Sequence, residues 1–323
     1  MRFKAQLLLS TVLVLALAAP AAAQEWKPSG TVRLIVPVQG GTVDLLARLV
    51  APRLQKEFGQ PVIVENKPGA GGNIGTDLVA KAQPDGQTIL VGYTAPITVN
   101  VTLFDHLPYD PQKDLAPITL AVTTPQFLTI HPSLPVNTVA EFVEYAKARP
   151  GKLSYGSISI GSASHLTMEM FKSAAGLDIV NIPFKGAAPT VTALLAGNVQ
   201  AAFFVPGNVL PHLKDGRLKV LAVSGRTRFP ATPEVPTLIE SGYKDFEAIA
   251  WIGFLAPGGT PRNIIDRYNR ILADELKQPD VRQRLTSIQF EVVASTPEAF
   301  AEYIRWETPR WAAVIRKTGA KAN

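Results

Sequence analysis

Apolar residues along the chain follow two alternating patterns. Val32-Arg33-Leu34-Ile35-Val36 is a short, nearly continuous apolar run and predicts a buried strand. Leu45, Leu46, Leu49, Val50 and Leu54 then recur at helical spacing. Gly59-Gln60-Pro61 ends that helix and Val62-Ile63-Val64 predicts the next strand. A second helix is expected from about Asn73 to Ala82, Pro84-Asp85-Gly86 is a turn, and Thr88-Ile89-Leu90-Val91 predicts a third strand. This βαβαβ alternation predicts an α/β unit, a parallel sheet with helices on both faces.

The alternation restarts after Pro125. Phe127-Leu128-Thr129-Ile130 reads as a strand, and Thr138 with Glu141 forms a capping box ahead of a helix carrying Phe142 and Ala146. Leu153-Ser154-Tyr155 leads into a Gly161-Ser162 turn and a helix through Met168 and Phe171. Residues 178–183, 199–204 and 218–223 supply further strands, and Pro189 falls in the first turn of another helix. Thr260-Pro261 and Thr296-Pro297 each place a capping residue before a proline at a helix start. The last helix shows Phe300, Ile304, Trp311 and Ile315 on nearly one face, and Pro309 is expected to kink it. Pro52 poses the same conflict in the first helix. The predicted division is residues 24–125 plus 247–323 as one domain and 126–246 as the other. Extended strands near 123–126 and 244–250 would cross between them.

Composition changes this picture at the N-terminus. Arg2 and Lys4 precede the apolar stretch 7–18, and Ala21-Ala22-Ala23 fits a cleavage site, so residues 1–23 read as a signal peptide. The chain has no cysteine, which excludes disulfides, Cys-based metal sites and a lipoprotein anchor, and fits a bacterial periplasm. The formal charge of +6 falls to +4 when Arg2 and Lys4 are removed. No run of four basic residues occurs, so a nucleic-acid partner is not expected, although a mild positive balance favours acidic ligands.

The candidate chemistry lies at strand-to-helix junctions, where free backbone N–H groups and the positive helix end suit an anion. Gly40-Gly41-Thr42 is the first such turn. Thr42 is expected to cap the helix, and Asp44 to organise the loop rather than touch an anion. Gly161, Ser162 and Ser164 form the second turn, followed by His165. A Ser–His hydrolase is the enzymatic alternative, but no G-x-S-x-G elbow occurs and no acid stands out as a third member. His165 is instead expected to bond its own loop. Lys185-Gly186 adds a cation at a third junction. Gly69-Ala70-Gly71-Gly72-Asn73-Ile74-Gly75 has the wrong spacing for a dinucleotide fingerprint, and the four histidines lie far apart, so neither a cofactor nor a metal is expected.

These runs together resemble the extracytoplasmic receptors of the tripartite tricarboxylate transporter family, the Bug proteins. The likeness covers essentially the whole mature chain. It rests on the run from Val64 to Gly75, on Leu107-Pro108-Tyr109-Asp110-Pro111, on Gly161-Ser162 through His165-Leu166, and on Pro183-Phe184-Lys185-Gly186 with Ala188-Pro189. Pro233-Glu234-Val235-Pro236-Thr237 and Leu255 through Pro261 complete the series. The resemblance implies a two-lobe, periplasmic-binding-protein-like (type II) α/β architecture. Each lobe would be a mostly parallel sheet flanked by helices, with the ligand cleft between. It implies a protein that closes on a small carboxylic acid and delivers it to a membrane permease or a sensor; capture without chemistry, by a monomer, is the accompanying expectation.

Three departures from the family pattern bear on the ligand. Pro37-Val38-Gln39-Gly40-Gly41 lacks the usual aromatic residue and is one residue shorter. Phe204-Val205 replaces a common polar pair, and Tyr93-Thr94-Ala95-Pro96-Ile97 is unusually apolar. The expected contacts are therefore Gly40, Gly41, Thr42 and Thr94 from one lobe and Gly161, Ser162, Ser164, Lys185 and Gly186 from the other. Phe204 would form a wall for an apolar or aromatic ligand body.

Overall fold

The computed structural model describes residues 25–184 and 186–321. The expected signal peptide and Lys185 lie outside the described residues. The chain runs β1 (Val32–Val36), α1 (Gly41–Phe58), β2 (Val62–Asn66), α2 (Asn73–Ala80), β3 (Thr88–Tyr93), α3 (Asn100–Leu103) and β4 (Leu115–Pro125). It continues through β5 (Phe127–Ile130), α4 (Val139–Lys147), β6 (Ser154–Ser157), α5 (Ala163–Ala175), β7 (Val180–Pro183), α6 (Ala187–Leu195), β8 (Ala201–Phe204), α7 (Leu210–Leu213) and β9 (Lys219–Val223). It then returns as β10 (Ile249–Pro257), α8 (Arg262–Leu276), α9 (Pro279–Ser287), β11 (Glu291–Val292) and α10 (Pro297–Thr318).

The strands form two sheets, ordered β11-β4-β10-β3-β1-β2 and β7-β6-β8-β5-β9. The architecture is the expected two-lobe α/β one. Parallel pairing is confined to β2-β1-β3 and β7-β6-β8, and the remaining strands join antiparallel, so both sheets are mixed. The cause is the connection between lobes. Strand β4 leaves the first sheet at Pro125 and β5 enters the second at Phe127, while β10 returns paired antiparallel to β4, with Ile249 opposite Pro125 and Trp251 opposite Thr123. Buried Gln126 ties this crossing together. Its N–H donates to Ser224 Oγ (2.8 Å), whose hydroxyl donates to the Ala248 carbonyl (2.5 Å).

Strand alternation sends successive side chains to opposite faces, which gives each sheet two apolar layers. In β1, Leu34 and Val36 face the core under α1 and α8, and Ile35 faces the opposite layer with Phe300 and Ile304. In β8, Phe203 faces the layer with Phe142 and Phe171, and Phe204 the layer with Phe127 and Val209. Helix α10 serves both lobes. Phe300 and Ile304 pack on the first sheet, whereas Trp311, Val314 and Ile315 enter the core of the second.

Helix ends follow the expectations in part. Thr138 Oγ1 accepts from Glu141 N (3.1 Å), but the Glu141 carboxylate reaches back to Asn137 N (2.6 Å) rather than to the cap itself. Thr296 caps α10 through Ala299 N (3.2 Å). Thr260 does not cap α8, because its hydroxyl donates to the Pro257 carbonyl (2.7 Å) and Pro261 becomes the residue before the helix. Pro52 and Pro309 each sit within a continuous helix. Burial of the apolar faces around them offsets the lost backbone hydrogen bond. Among the described residues no helix is long and apolar enough to cross a membrane.

Candidate functional site

The carboxyl ends of parallel strands are where open α/β sheets place ligands, and here those ends face one cleft between the lobes. Its volume is about 1190 Å³. Thr124 and Ala250 to Ile252, from the crossing strands, form its floor. Thr42, Val43, Tyr93 and Thr94 line it from the first lobe. Ile158 to Ala163 and, after β8, Val205, Gly207, Asn208, Leu210, Pro211 and Lys214 line it from the second.

Helix α1 begins without a side-chain cap. Gly40 occupies the capping position at φ 68°, and Thr42 lies inside the first turn, so the expected Thr42 cap is not made. The physical reason is the double glycine. Positive φ at Gly40 and Gly41 (77°) turns the chain one residue early, and only glycine adopts both without strain. No heavy atom lies within 4 Å of where a Cβ would stand on either glycine, so the helix start is approachable. The amides of Gly41, Thr42 and Val43 have no acceptor among the described residues.

Asp44 organises this loop, as its charge led us to expect. Its carboxylate accepts from Arg48 Nε (2.8 Å) and from Asn66 Nδ2 (2.8 Å), and the same Asn66 amide donates to the Val38 carbonyl (2.9 Å). The hydrogen bond from Arg48 holds the Asp44 carboxyl below the usual carboxylate range. Asp44→Ala is expected to cost about 1–2 kcal/mol in urea unfolding, since it removes three bonds to a charged group, two from Arg48 and one from Asn66. An unchanged urea midpoint would show that the loop holds its shape without them.

The second junction is built differently. Ser162 caps α5, its Oγ accepting from His165 N (3.3 Å) and donating to the Ser159 carbonyl (2.7 Å). Ser164 Oγ lies 3.0 Å from Ser162 Oγ and accepts from Ile158 N (3.0 Å), so Ser164 holds the loop from beneath. Gly161 N–H donates to His165 Nδ1 (3.1 Å). That bond occupies the amide and places the neutral ring's proton on Nε2. Burial lowers the His165 pKa against the opposing charge of Glu169, and its ring stacks on Tyr155. The histidine therefore supports its own loop, and neither of its recorded ties is a Ser–His catalytic pair. Gly161 is needed for shape: φ is 75°, and a Cβ would stand 2.4 Å from Leu103 Cδ2 of the opposite lobe. The free amides at this helix start belong to Ala163 and Ser164, which have no acceptor among the described residues.

The remaining candidates divide. Thr94 is buried at the floor, where its Oγ1 accepts from Trp251 N (3.1 Å) and keeps its own proton to donate. Gly186 caps α6 at φ 107° and its N–H donates to the Ile158 carbonyl (2.9 Å), so it braces the Ser162 loop from outside the cleft lining. Phe204 is 2% exposed within the second lobe, and the adjoining Val205 supplies the apolar wall. The glycine-rich run supports the cleft edge, with the Gly71 carbonyl accepting from Tyr93 Oη (2.9 Å) and Asn100 Nδ2 (3.1 Å).

Several cleft residues carry no local sequence signal. Trp251 and Trp311 back the floor, and Ser287 to Phe290 close one side from the first lobe. Lys214 enters from the segment after β8. The ligand-end rule for parallel strands could have pointed to that segment; nothing periodic marks 287–290. The lining is otherwise apolar or neutral, and no group of three metal-ligating side chains forms among the described residues. The arrangement offers amide donors from two helix starts, a hydroxyl at the floor, and apolar walls.

A family model described as "Tripartite tricarboxylate transporter family receptor" matches residues 46–320. Protein BugT of Bordetella pertussis is 38% identical over 307 residues, covering 94% of each chain. Among solved structures, Rpa4515 of R. palustris with adipate is 34% identical at a TM-score of 0.76, covering 90% of this chain and 98% of that one. MatC of Rhodopseudomonas palustris with bound malate is 34% identical at 0.73, covering 89% and 99%. By the extent of these matches and by its own fold, the chain belongs to the tripartite tricarboxylate transporter receptor family.

Proposed function

We propose that this protein is a periplasmic solute-binding receptor that captures a carboxylic acid with an apolar body and delivers it to the membrane permease of a tripartite transporter. One observation carries the reading: the starts of α1 (Thr42, Val43) and α5 (Ser162, Ala163) line a single cleft although about 120 residues separate them. A carboxylate accepting from both ties the lobes together. It stabilises the closed state because it touches both lobes only there, and differential contact is what shifts a conformational equilibrium. Hydrogen bonds to a charged group contribute about 1.5–3 kcal/mol each. Three supply roughly 5–9 kcal/mol before binding costs, compatible with micromolar affinity at about −8 kcal/mol.

Val205, Ile158, Ile160 and Phe290 around the cleft favour a hydrocarbon or aromatic body over an ammonium-bearing one, which would lack an acidic partner there. The adipate and malate held by the two neighbours support an acid as guest. A thermal-shift screen of aliphatic and aromatic carboxylates, with aspartate and glutamate as amino-acid controls, tests this. Saturable stabilisation by an acid, unconsumed by chromatography, is the expected result. Turnover of an ester without stabilisation by any acid, or tighter binding of the amino acids, would sink the reading.

A further inference from the structure

We propose that Glu307 is a positioning residue for the cleft floor and that its proton is linked to the guest: the receptor holds its acid with Glu307 neutral, so binding near neutral pH draws a proton from solution. The proposal rests on the carboxylate reading above and adds a regulation of that same site.

Glu307 lies in α10 and is 3% exposed. Its Oε2 accepts from Trp251 Nε1 (2.8 Å). Trp311, one helical turn later, brings its indole N–H to the same carboxyl, yet that nitrogen is buried without a hydrogen-bond partner. Both indoles line the cleft. The third neighbour is Thr98, fully buried, whose hydroxyl faces the carboxyl. Thr98 Oγ1 already donates to the Thr94 carbonyl (2.9 Å), so towards Glu307 it can only accept. A carboxylate has no proton to give it, whereas a carboxylic acid does. The cluster is therefore complete with Glu307 neutral. It ends on Thr94, whose own hydroxyl is the polar group of the floor.

Among the described residues no cation pairs with Glu307. β4, the turn Ala95–Val99 and α3 pack on α10 and carry no ionisable side chain. On α5, Glu169 and Lys172 bond each other (2.6 Å), and burial lowers the His165 pKa. α8 reaches α10 near its start, where Arg262 pairs with Glu298. Glu247, just before β10, adds a like charge and is itself paired with Arg226. On α10, burial and the charge of Glu307 push the Tyr303 phenol up, and Arg310 donates away, to the Asp245 carbonyl (2.8 Å).

An anionic guest brings a negative charge to the other side of the two indoles. Two like charges about 12 Å apart, at an effective dielectric constant of about 20, weaken binding by about tenfold. Burial pushes the Glu307 carboxyl up to about 7. Near neutrality the free protein is therefore a mixture of both forms, and the guest selects the protonated one.

The experiment is titration calorimetry from about pH 6.5 to 8.5 with adipate, benzoate and the most stabilising acid of the thermal-shift screen, on wild type and Glu307→Gln. Running it in HEPES and in Tris counts the protons taken up, because the two buffers ionise with different heats. The acids stay ionised throughout that range. Wild type is expected to bind about fivefold more weakly at the alkaline end and to take up about half a proton per acid near pH 7.5. Glu307→Gln keeps an acceptor for Trp251 and a donor for Thr98. It should show one affinity across the range, above wild type at the alkaline end, with no proton uptake. A variant that keeps the wild-type slope and uptake, as titration of His165 would give, overturns the proposal. So does wild type with a flat profile and no uptake. Both results leave carboxylate capture standing, whereas no binding of any of these acids overturns both.

Discussion

Tryptophan at position 162 is expected to abolish acid binding, by at least a hundredfold, while leaving the protein folded. Ser162 stands at the mouth of α5, where Ala163, whose amide is free, also lines the cleft. An indole there fills the space the carboxylate needs and blocks approach to Leu103, which faces the same turn from the other lobe. The fold tolerates the change because Ser162 is only half-buried and its main structural task is the cap on His165 N. Losing such a cap costs about 1 kcal/mol. Ser162→Ala separates the two effects: it loses the cap without filling the cleft, so its melting temperature should fall as far as that of Ser162→Trp while most of its affinity remains. Wild-type affinity in Ser162→Trp would place the acid elsewhere.

The second large effect is a pH dependence of stability set by Glu307. This residue lies in α10, fully buried behind the cleft floor, and its Oε2 accepts from Trp251 Nε1 (2.8 Å). Burial pushes its carboxyl up to about 7 from the ordinary 4.5, against the stabilising hydrogen bond from Trp251 and with the nearby charge of Glu247 adding to the rise. Below pH 4.5 the group is protonated in folded and unfolded chains alike, and no penalty arises. As pH climbs from there towards 7, the unfolded chain ionises and the folded one keeps its proton. Stability therefore falls across that window, by about 3 kcal/mol, and then levels off. Glu307→Gln keeps an acceptor for the indole N–H and cannot ionise. Urea unfolding between pH 4.5 and 8 should show the variant gaining about 3 kcal/mol over wild type across the window. Parallel pH profiles in the two proteins would mean that Glu307 is ionised in the folded state.

Much of this fold was legible because its signals are short-range. The apolar runs at β1 and β5 were located to the residue, and the helix start at Thr296 followed from cap chemistry contained within four residues. Boundaries moved where packing outweighed local preference. Pro52 and Pro309 are themselves exposed and remain inside helices whose apolar faces are buried, and the helix after Thr260 yields its cap to a turn with Pro257. The candidate site was legible at the level of loops. Of its residues, Thr42, Thr94, Gly161 and Ser162 line the cleft, while Gly186, Ser164 and Phe204 brace or pack behind it.

The chain alone determined two α/β units and two glycine- or serine-rich helix entries, because hydrophobic period and backbone freedom are written in neighbouring residues. Only the tertiary structure decided which amides stay free. Gly161 N–H is taken by His165, whereas the α1 amides are left open. Packing likewise turned Phe204 inward, brought Lys214 to the cleft and buried Glu307. Each of those outcomes depends on which distant segment meets a side chain, and that is fixed when the sheets stack and the lobes face each other rather than by any local pattern.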